Sequence, residues 1–347
     1  MRSLSDSVVQ HLREIANQPD CTGTRYRLVE KIGQGGMGSV YLAHDRELDR
    51  PVALKVLADG HSTPELQRRI AKEALVLACL EHPGIVPIHD FGVLPDGRVY
   101  YVMKLVRGRR LDELVHLGRP LPEMLRDFEK ICQAVAFAHA QGVIHRDLKP
   151  QNIMVGAFGE LLVMDWGVAK LLEDSGAPVT PPTSALGDAA CGTSGNTLPG
   201  TFLGTPGYMA PEQAWGEVDK IDERSDVYAL GAILYFLLAG QAPRSIPPRD
   251  KLESNDLLPP RYLRSSIPRP LEAICLKALA LDKRHRYPGV QFLMDDIASF
   301  LSHRRVVAYP DGLFGAARRL TSKYGTAISL ILAYLVMRVV LIFWNRI

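Results

Sequence analysis

One short stretch of the chain carries the side chains that phosphoryl transfer requires. The eight residues from His145 read HRDLKPQN, and a DWG triplet begins at Asp165, 13 residues after Asn152. This reaction asks the protein mainly to position its reactants and to neutralise charge. Asp147 would accept the proton of a hydroxyl nucleophile, and Lys149 would neutralise the phosphoryl group in transit. Asn152 and Asp165 would hold magnesium.

A glycine-rich turn upstream is suited to covering phosphates. Gly33, Gly35 and Gly38 have the spacing G-x-G-x-x-G. Backbone that approaches a triphosphate closely leaves no room for a Cβ, and glycine also permits a positive φ. The residues after Gly38 predict a strand rather than the helix of a dinucleotide-binding turn, and a Walker A ending is absent. The predicted nucleotide contacts of this turn are Ile32, Gly33, Gln34, Gly35, Gly36, Met37, Gly38, Ser39 and Val40.

Two further segments complete the pattern. Residues 52–55 read VALK, in a predicted strand, and residues 204–212 read GTPGYMAPE. Together with HRDLKPQN and DWG, they resemble the bacterial eukaryotic-like group of serine/threonine protein kinases. The motifs follow that family's order from Tyr26 to Arg305, which is about four-fifths of the chain.

The resemblance implies an α+β fold with two lobes. A small lobe of strands and one helix would occupy residues 26–105, and a helical large lobe would occupy residues 106–305. Apolar-periodic runs at residues 125–139 and 227–238 agree with a helical large lobe. A polar leader would occupy residues 1–25.

The resemblance also implies how the nucleotide is held. Lys55 would bridge the α- and β-phosphates, and Glu73, in the helical run 66–80, would hold Lys55 in place. A solvated helix charge at Glu73 is the alternative. The residues that would enclose adenine or gate its pocket are Val40, Ala53, Met103 and Met154. The implied cofactors are ATP and Mg²⁺, and the implied acceptors are serine and threonine hydroxyls of proteins.

The segment that ends at Glu212 matches the end of the family's activation segment. Thr205 would bond the catalytic aspartate and lysine, a pattern associated with serine/threonine substrates. Glu212 would pair with Arg286, and Asp226 would anchor the backbone of the catalytic loop. The preceding residues 173–203 are rich in Gly, Pro, Ser and Thr and predict a long loop.

That loop offers sites for regulatory phosphorylation. In many kinases the residue equivalent to Arg146 grips a phosphate on this loop through a bidentate contact. We therefore predict autophosphorylation at Thr197 or Thr201, which lie nearest the anchored end of the loop. The alternative is that these side chains are ordinary loop residues.

Trp166 departs from the family pattern, which usually has phenylalanine there. In the family this ring stacks with residues equivalent to His145, Leu77 and Ile88. Tryptophan is larger but still aromatic, so we expect the stack to form with the indole N–H bonded to a partner.

Composition excludes several classes of protein. The net charge of +3 is too small to indicate nucleic-acid binding. The five cysteines lack metal-ligand spacing and do not indicate disulfides. Cys79, Cys132 and Cys275 lie in apolar helical contexts and are predicted core residues. The first residues lack the apolar run of a secretory signal, so we expect the kinase lobes in the cytoplasm.

The C-terminal segment predicts a single-pass membrane anchor. Residues 325–344 form a stretch of 20 residues that is apolar except for Arg338, and about 20 helical residues cross a bilayer. Basic residues in the linker 306–324 precede it, which places the kinase on the cytoplasmic side. Arg338 opposes insertion by about 2.5–3.5 kcal/mol, but its long stem could snorkel outward. A helix docked on the kinase or on a partner is the alternative.

The sequence therefore predicts a membrane-anchored, ATP-dependent serine/threonine kinase that acts on proteins. A homodimer formed through the tail, which would favour trans-autophosphorylation, is a hypothesis. One rival is a pseudokinase scaffold that binds nucleotide or partners without phosphotransfer. The other rival is a small-molecule phosphotransferase, but such enzymes usually lack a segment like residues 205–212.

Overall fold

A computed structural model describes most of the region that carries these motifs. The described residues are 18–35, 38–57, 78–166, 170–171, 207–243, 257–310, 329–331, 333–338 and 344.

The largest sheet carries the glycine-rich turn and Lys55. Its five antiparallel strands lie in the order β1-β2-β3-β5-β4. The strands are β1 Tyr26–Gly35, β2 Gly38–Asp45, β3 Arg50–Leu57, β4 Ile88–Val93 and β5 Val99–Lys104. The strands predicted after Gly38 and around Lys55 are thereby confirmed.

The two faces of this sheet belong to different core clusters, because successive side chains of a strand alternate between faces. On β3, Val52, Leu54 and Val56 share a buried cluster with Tyr100 of β5. Ala53 belongs to the opposite cluster. That second cluster also contains Val86, Tyr101, Met103 and Leu162.

Two small sheets position the catalytic loop. The strands β6 Gly108–Arg110, β8 Ile153–Gly156 and β9 Leu161–Val163 lie in the order β6-β8-β9, and β7 Val143–Ile144 pairs with β10 Lys170–Leu171. The segment from His145 to Asn152 therefore leaves β7 and enters β8. It ends in one 3-10 turn over Pro150–Asn152.

The helices confirm the two apolar-periodic runs. They are α1 Leu111–Val115, α2 Leu121–Ala140, α3 Pro211–Ala214, α4 Glu223–Ala239, α5 Pro260–Leu263, α6 Arg269–Ala278 and α7 Val290–Leu301. Helix α4 starts after Asp222, whose carboxylate accepts a hydrogen bond from the Arg224 N–H at 2.9 Å. It ends at Gly240, whose φ of 78° is the left-handed conformation common at helix ends.

The contacts divide the chain into two compact units. One comprises Met1–Leu117 with Ala134–Leu198, and the other comprises Gly118–Gln133 with Pro199–Ile347. The first contains every described strand, and the second contains α3 to α7. A sheet-rich small lobe and a helical large lobe are the elements that the resemblance implied, whereas the predicted lobe boundary near residue 105 stays a prediction.

The predicted core positions of the cysteines are confirmed at two residues and wrong at one. Cys132 and Cys275 are buried, as expected. The predicted core position of Cys79 is wrong: its side chain is exposed, because the residue lies in a turn where helical periodicity no longer applies.

The predicted span 325–344 lies only partly within the described residues. Its described positions, 329–331, 333–338 and 344, are helical and exposed. Within the described part of the chain, no helix combines the length and the apolar character needed to cross a membrane.

Candidate active site

The glycine-rich turn joins β1 to β2. Gly33 pairs with Val40, and Gly35 pairs with Gly38 across the turn. Gly38 has a φ of 149°, and a Cβ built there would collide with the backbone oxygen of Val56. Glycine is therefore required at Gly38, and the turn has the bare backbone that a phosphate cover needs. Gly36 and Met37 lie outside the described residues.

Lys55 is an almost fully buried cation with an acidic partner. Its Nζ donates to Oδ1 of Asp165 at 2.5 Å, and the Lys55 side chain is 7% exposed. Burial alone would lower the pKa of Lys55, but the negative charge of Asp165 and the hydrogen bond to its carboxylate raise this pKa. Lys55 therefore stays charged, as phosphate binding requires. Glu73, its predicted partner, lies outside the described residues.

Asp147 is held by two neighbours in the catalytic loop. Nζ of Lys149 lies 2.7 Å from Oδ2 of Asp147. Nδ2 of Asn152 donates to the Asp147 backbone oxygen at 2.8 Å and to Oδ2 at 3.2 Å. A carboxylate fixed in this way has a defined direction in which to accept a proton. The structure thus brings together three of the predicted catalytic and metal-binding residues.

His145 and Trp166 connect the catalytic loop to the strand that ends before Asp165. Their rings stack at a centroid distance of 4.6 Å. Nε2 of His145 lies 2.9 Å from the Met164 carbonyl oxygen, and Nδ1 lies 3.3 Å from the Asp147 N–H. Since a carbonyl can only accept, Nε2 carries the proton and Nδ1 accepts. As expected, the indole N–H of Trp166 has a partner, because it donates to the Val163 oxygen at 3.2 Å.

The residues predicted to surround adenine divide between two sheets. Ala53 and Met103 lie in one buried cluster, against which Val40 packs. Met154 lies on β8 instead, where it pairs with Leu162 of the same cluster. Apolar side chains from both sheets are therefore available to a flat, apolar ring.

The predicted metal ligands are Asn152 and Asp165. Both offer oxygen ligands, which suit Mg²⁺, and this ion commonly takes one or two protein carboxylates together with substrate phosphates. Within the described residues, no cluster of three or more His, Cys, Asp or Glu side chains could hold a metal alone. The donor set thus fits a magnesium ion that the phosphates of ATP help to bind.

A buried ion pair fixes the end of the activation segment in the second unit. Nη1 and Nη2 of Arg286 each donate to one carboxylate oxygen of Glu212 at 2.8 Å. The Ser225 hydroxyl donates to the same carboxylate at 2.6 Å. Burial would raise the pKa of Glu212, but the hydrogen bonds and charge of Arg286 hold it below its ordinary value. The geometry matches the pairing expected for Glu212 and Arg286.

Other expectations about the activation segment stay open. Asp226 is buried in α4, and its link to the catalytic loop stays a prediction. Thr205 and the candidate phosphorylation sites, Thr197 and Thr201, lie outside the described residues.

Tyr101 was missed as a residue of this site. It lies directly opposite Lys55 across β3 and β5, and Nζ of Lys55 lies 5.7 Å from the centroid of its ring. Tyr101 also lines a pocket with Asp165 and Trp166. The alternation of side chains along β5 would have placed Tyr101 on the face of Lys55. An aromatic residue in a strand, however, is usually interpreted as a core residue.

Comparison with known proteins agrees with this geometry. The family model described as "Protein kinase domain" matches residues 26–294. The serine/threonine-protein kinase PknD of Protochlamydia amoebophila is 36% identical over 301 residues, which cover 80% of this chain and 30% of that protein. PknD of Chlamydia muridarum is 40% identical over 296 residues, which cover 78% and 31%. The chain thus spans about a third of the length of these curated relatives.

A solved structure shows the same fold. The crystal structure of the Mycobacterium tuberculosis PknI kinase domain superposes with a TM-score of 0.60 at 26% identity, covering 81% of this chain and 98% of that chain. The resemblance to bacterial eukaryotic-like serine/threonine kinases is thereby confirmed, and the chain belongs to the protein kinase domain family.

Proposed function

We propose that this protein is an ATP- and Mg²⁺-dependent serine/threonine protein kinase that transfers the γ-phosphate to hydroxyls of proteins. The observation that carries the proposal is the arrangement around Asp147, whose carboxylate is held by Lys149 and Asn152 in one loop. The names of the PknD relatives support the serine/threonine class.

Each group has one task in this reaction. Asp147 accepts the proton of the attacking hydroxyl, and Lys149, within 2.7 Å of it, neutralises charge on the phosphoryl group. Lys55 binds the α- and β-phosphates once they displace Asp165. Asn152 and Asp165 would hold Mg²⁺, which would supply charge neutralisation on the phosphates. Glu73 remains the proposed partner of Lys55 in the working state.

Autophosphorylation extends this proposal to regulation. Thr197 and Thr201 are the proposed sites, and Arg146 is the proposed phosphate ligand. Arg146 follows His145 in the catalytic loop and has a positive φ of 68°. A phosphate held there would order the segment through charge-assisted hydrogen bonds.

A membrane anchor at residues 325–344 is the second part of the proposal. Its support is the length of the apolar stretch and the apolar side chains that its described helical residues expose, such as Leu330 and Val336. The kinase would then act on the cytoplasmic side. Association of two chains through this helix would favour trans-autophosphorylation.

The kinase proposal is tested by phosphate incorporation. Purified protein is incubated with radiolabelled ATP, Mg²⁺ and a mixed protein substrate, beside Asp147→Asn and the matched control Asp295→Asn. Asp295 is an exposed carboxylate on α7. We expect wild type and the control to label serine and threonine, and Asp147→Asn to lose at least about a thousandfold in rate while still binding ATP. Equal labelling by Asp147→Asn would contradict the role of Asp147.

The pseudokinase alternative makes a different prediction in the same experiment. Wild type would bind ATP but incorporate no phosphate into itself or into any substrate, with or without lipid vesicles. Trp166 offers this alternative little support, because its indole makes both the ring stack and a hydrogen bond.

A further inference from the structure

Strand β6 and the residue before it carry three exposed arginines, Arg107, Arg109 and Arg110. Nε of Arg110 lies 3.1 Å from Oε1 of Glu113 and 3.5 Å from Oδ1 of Asp112, so acidic neighbours already neutralise this charge. Within the part of the chain that the structure describes, the side chains of Arg107 and Arg109 have no ionic partner. Two positive charges are therefore available to an anionic ligand.

The backbone of β6 is fixed, although its arginines are solvated. Gly108 pairs with Gly156 of β8, and Arg109 pairs with Val155. A Cβ at Gly108 would collide with the Val155 backbone oxygen, so the two strands approach each other more closely here than another residue would allow. The arginines consequently form a row about 10 Å long, at about 3.3 Å per residue.

One end of this row reaches the catalytic loop, and the other end reaches an exposed aromatic ring. At the first end, β6 and α1 contact the turn Pro150–Asn152, which contains a proposed metal ligand. At the second end, the turn between β8 and β9 presents Phe158, which is 97% exposed. Because β6 and β8 are antiparallel, Arg107 and Phe158 lie at the same end of the strand pair.

The size and the position of this surface favour a protein segment over other anionic ligands. Its residues belong to the same compact unit as Asp147. Clusters that bind anionic lipids usually contain about four to eight basic residues, which is more than the two available arginines. Two arginines beside one aromatic ring match a short segment that has acidic side chains and an apolar side chain, because complementary charges give specificity and the apolar contact adds buried area.

We propose that Arg107, Arg109 and Phe158 form a docking surface for an acidic segment of the protein substrate. The arginines pair with carboxylates of the segment, and the ring of Phe158 packs against an apolar side chain. This inference rests on the proposed function and deepens it by naming a class of substrate. The three residues touch neither ATP nor the acceptor hydroxyl, so their effect belongs to KM for the substrate rather than to kcat.

The first test reverses the charge of the surface. The full chain is assayed on synthetic peptides with one threonine, in which each flanking position is occupied by aspartate, asparagine or lysine. We expect the wild type to prefer aspartate over asparagine at one or more positions by about tenfold in kcat/KM, mainly through KM, because each exposed ion pair contributes modestly. The double variant Arg107→Glu, Arg109→Glu should lose this preference and favour lysine at the same positions.

The matched control has the same change in charge elsewhere. Arg27→Glu combined with Arg305→Glu replaces two exposed arginines, on β1 and after α7, and should keep the preference of the wild type. Added salt should reduce that preference, because exposed charges are screened. An absent preference in the wild type, a preference that survives the reversal at β6, or equal loss in the control would overturn the inference.

The second test removes the aromatic ring. Phe158→Ala should raise KM about fivefold for an acidic peptide that contains leucine, because the apolar contact is lost. Phe292→Ala is the control, since Phe292 is a 55% exposed phenylalanine on α7, and it should leave this KM within about twofold of the wild type. Equal values of KM for the two variants would remove Phe158 from the docking surface.

Failure of the proposed function gives a distinct result. If the wild type phosphorylates no peptide, the kinase proposal fails, and fluorescence anisotropy still measures binding of a labelled peptide with four aspartates and one leucine. Tighter binding than that of the same peptide with four asparagines, lost on charge reversal at β6, would support the surface. Equal binding of the two peptides, or binding of phosphatidylserine vesicles but of neither peptide, would overturn it.

Discussion

At the scale of single residues, the two lysines of the site each have a carboxylate partner. Lys55 pairs with Asp165, and Lys149 pairs with Asp147. A buried charge without a partner would cost several kcal/mol, so these pairs let the site fold with its charges in place. Under the proposed function, binding of ATP and Mg²⁺ would exchange one set of ionic partners for another instead of creating charge in an apolar pocket.

Trp166 allows the ring stack and the hydrogen bond to be tested separately. Trp166→Phe keeps a ring beside His145 but removes the N–H that bonds Val163. The Val163 oxygen also accepts from the Val86 N–H at 3.2 Å, so it is not left without a donor. We therefore expect this variant to lose about 0.5–1.5 kcal/mol of unfolding free energy and to keep kcat within about threefold, measured by thermal melts and phosphate incorporation.

Removal of the whole side chain should be far more costly. Trp166→Ala loses the stack at 4.6 Å and leaves a cavity beside a residue that is 5% exposed. We expect a loss of about 3–5 kcal/mol together with most of kcat. If the alanine and phenylalanine variants behaved alike, the stack with His145 would have no role in either stability or activity.

At the scale of elements, two glycines of the β1–β2 hairpin differ in the space that is available for a Cβ. A Cβ at Gly38 would collide with the Val56 oxygen of β3, whereas a Cβ at Gly33 would meet Val40 at 3.7 Å, an ordinary contact. We predict that Gly38→Ala lowers the unfolding free energy by more than about 1 kcal/mol and weakens ATP binding, because β2 must shift away from β3. Gly33→Ala should leave the melting temperature near that of the wild type. Equal melting temperatures for the Gly38→Ala and Gly33→Ala variants would show that β2 can shift away from β3 without a loss of stability.

The ion pair between Glu212 and Arg286 ties α3 to the chain that precedes α7. All five N–H groups of Arg286 have acceptors: the two Glu212 oxygens and the backbone oxygens of Ala280, Arg224 and Leu281. We predict that Glu212→Gln lowers the unfolding free energy at pH 7 by about 3–5 kcal/mol, because it leaves a buried cation uncompensated. Urea unfolding measures the change.

The pH dependence of this variant has a definite sign. The pKa of Glu212 is lowered in the folded state, so its stabilisation is complete above the unfolded pKa and is lost as pH falls through the folded one. The difference in stability between wild type and Glu212→Gln should therefore shrink in acid. Arg284→Ala is the control: its ion pair with Asp282 is at the surface, so we expect no measurable change. A stability difference between wild type and Glu212→Gln that does not change with pH would contradict a lowered pKa of Glu212 in the folded state.

Contacts between residues close together in the sequence could be predicted from the sequence alone. Contacts between residues far apart in the sequence could not be predicted without knowledge of the fold. Asp147 and Lys149 lie two residues apart, so their contact follows from one turn of the chain. Lys55 and Asp165 are 110 residues apart, and only a family resemblance could bring them into one site. The strands of β6-β8-β9 are three or four residues long, too short for an alternation pattern. Tyr101 was missed because its place opposite Lys55 follows only from the register of β3 and β5.

At the scale of the whole molecule, the proposed catalytic residues described by the structure belong to the unit Met1–Leu117 with Ala134–Leu198. The ion pair between Glu212 and Arg286 belongs to the other unit. The segment that runs from Asp165 to Glu212 therefore connects the proposed metal ligand of one unit to the buried ion pair of the other. Phosphorylation along this segment would act on both units at once, which is the physical reason to expect regulation there.

The last prediction concerns the segment 325–344. If it spans a bilayer, the full chain should stay in the membrane pellet after washes with high salt and alkaline carbonate, and a chain that ends at residue 310 should not. Leu335→Arg adds a second charge to the apolar stretch and should weaken insertion by about 2.5–3.5 kcal/mol, whereas Arg338→Leu should strengthen it. Both are measured by glycosylation of a C-terminal acceptor site in an insertion assay. Release of the full chain by carbonate, or equal insertion of the two variants, would favour the docked-helix alternative, in which the exposed Leu335 packs on protein and not in lipid.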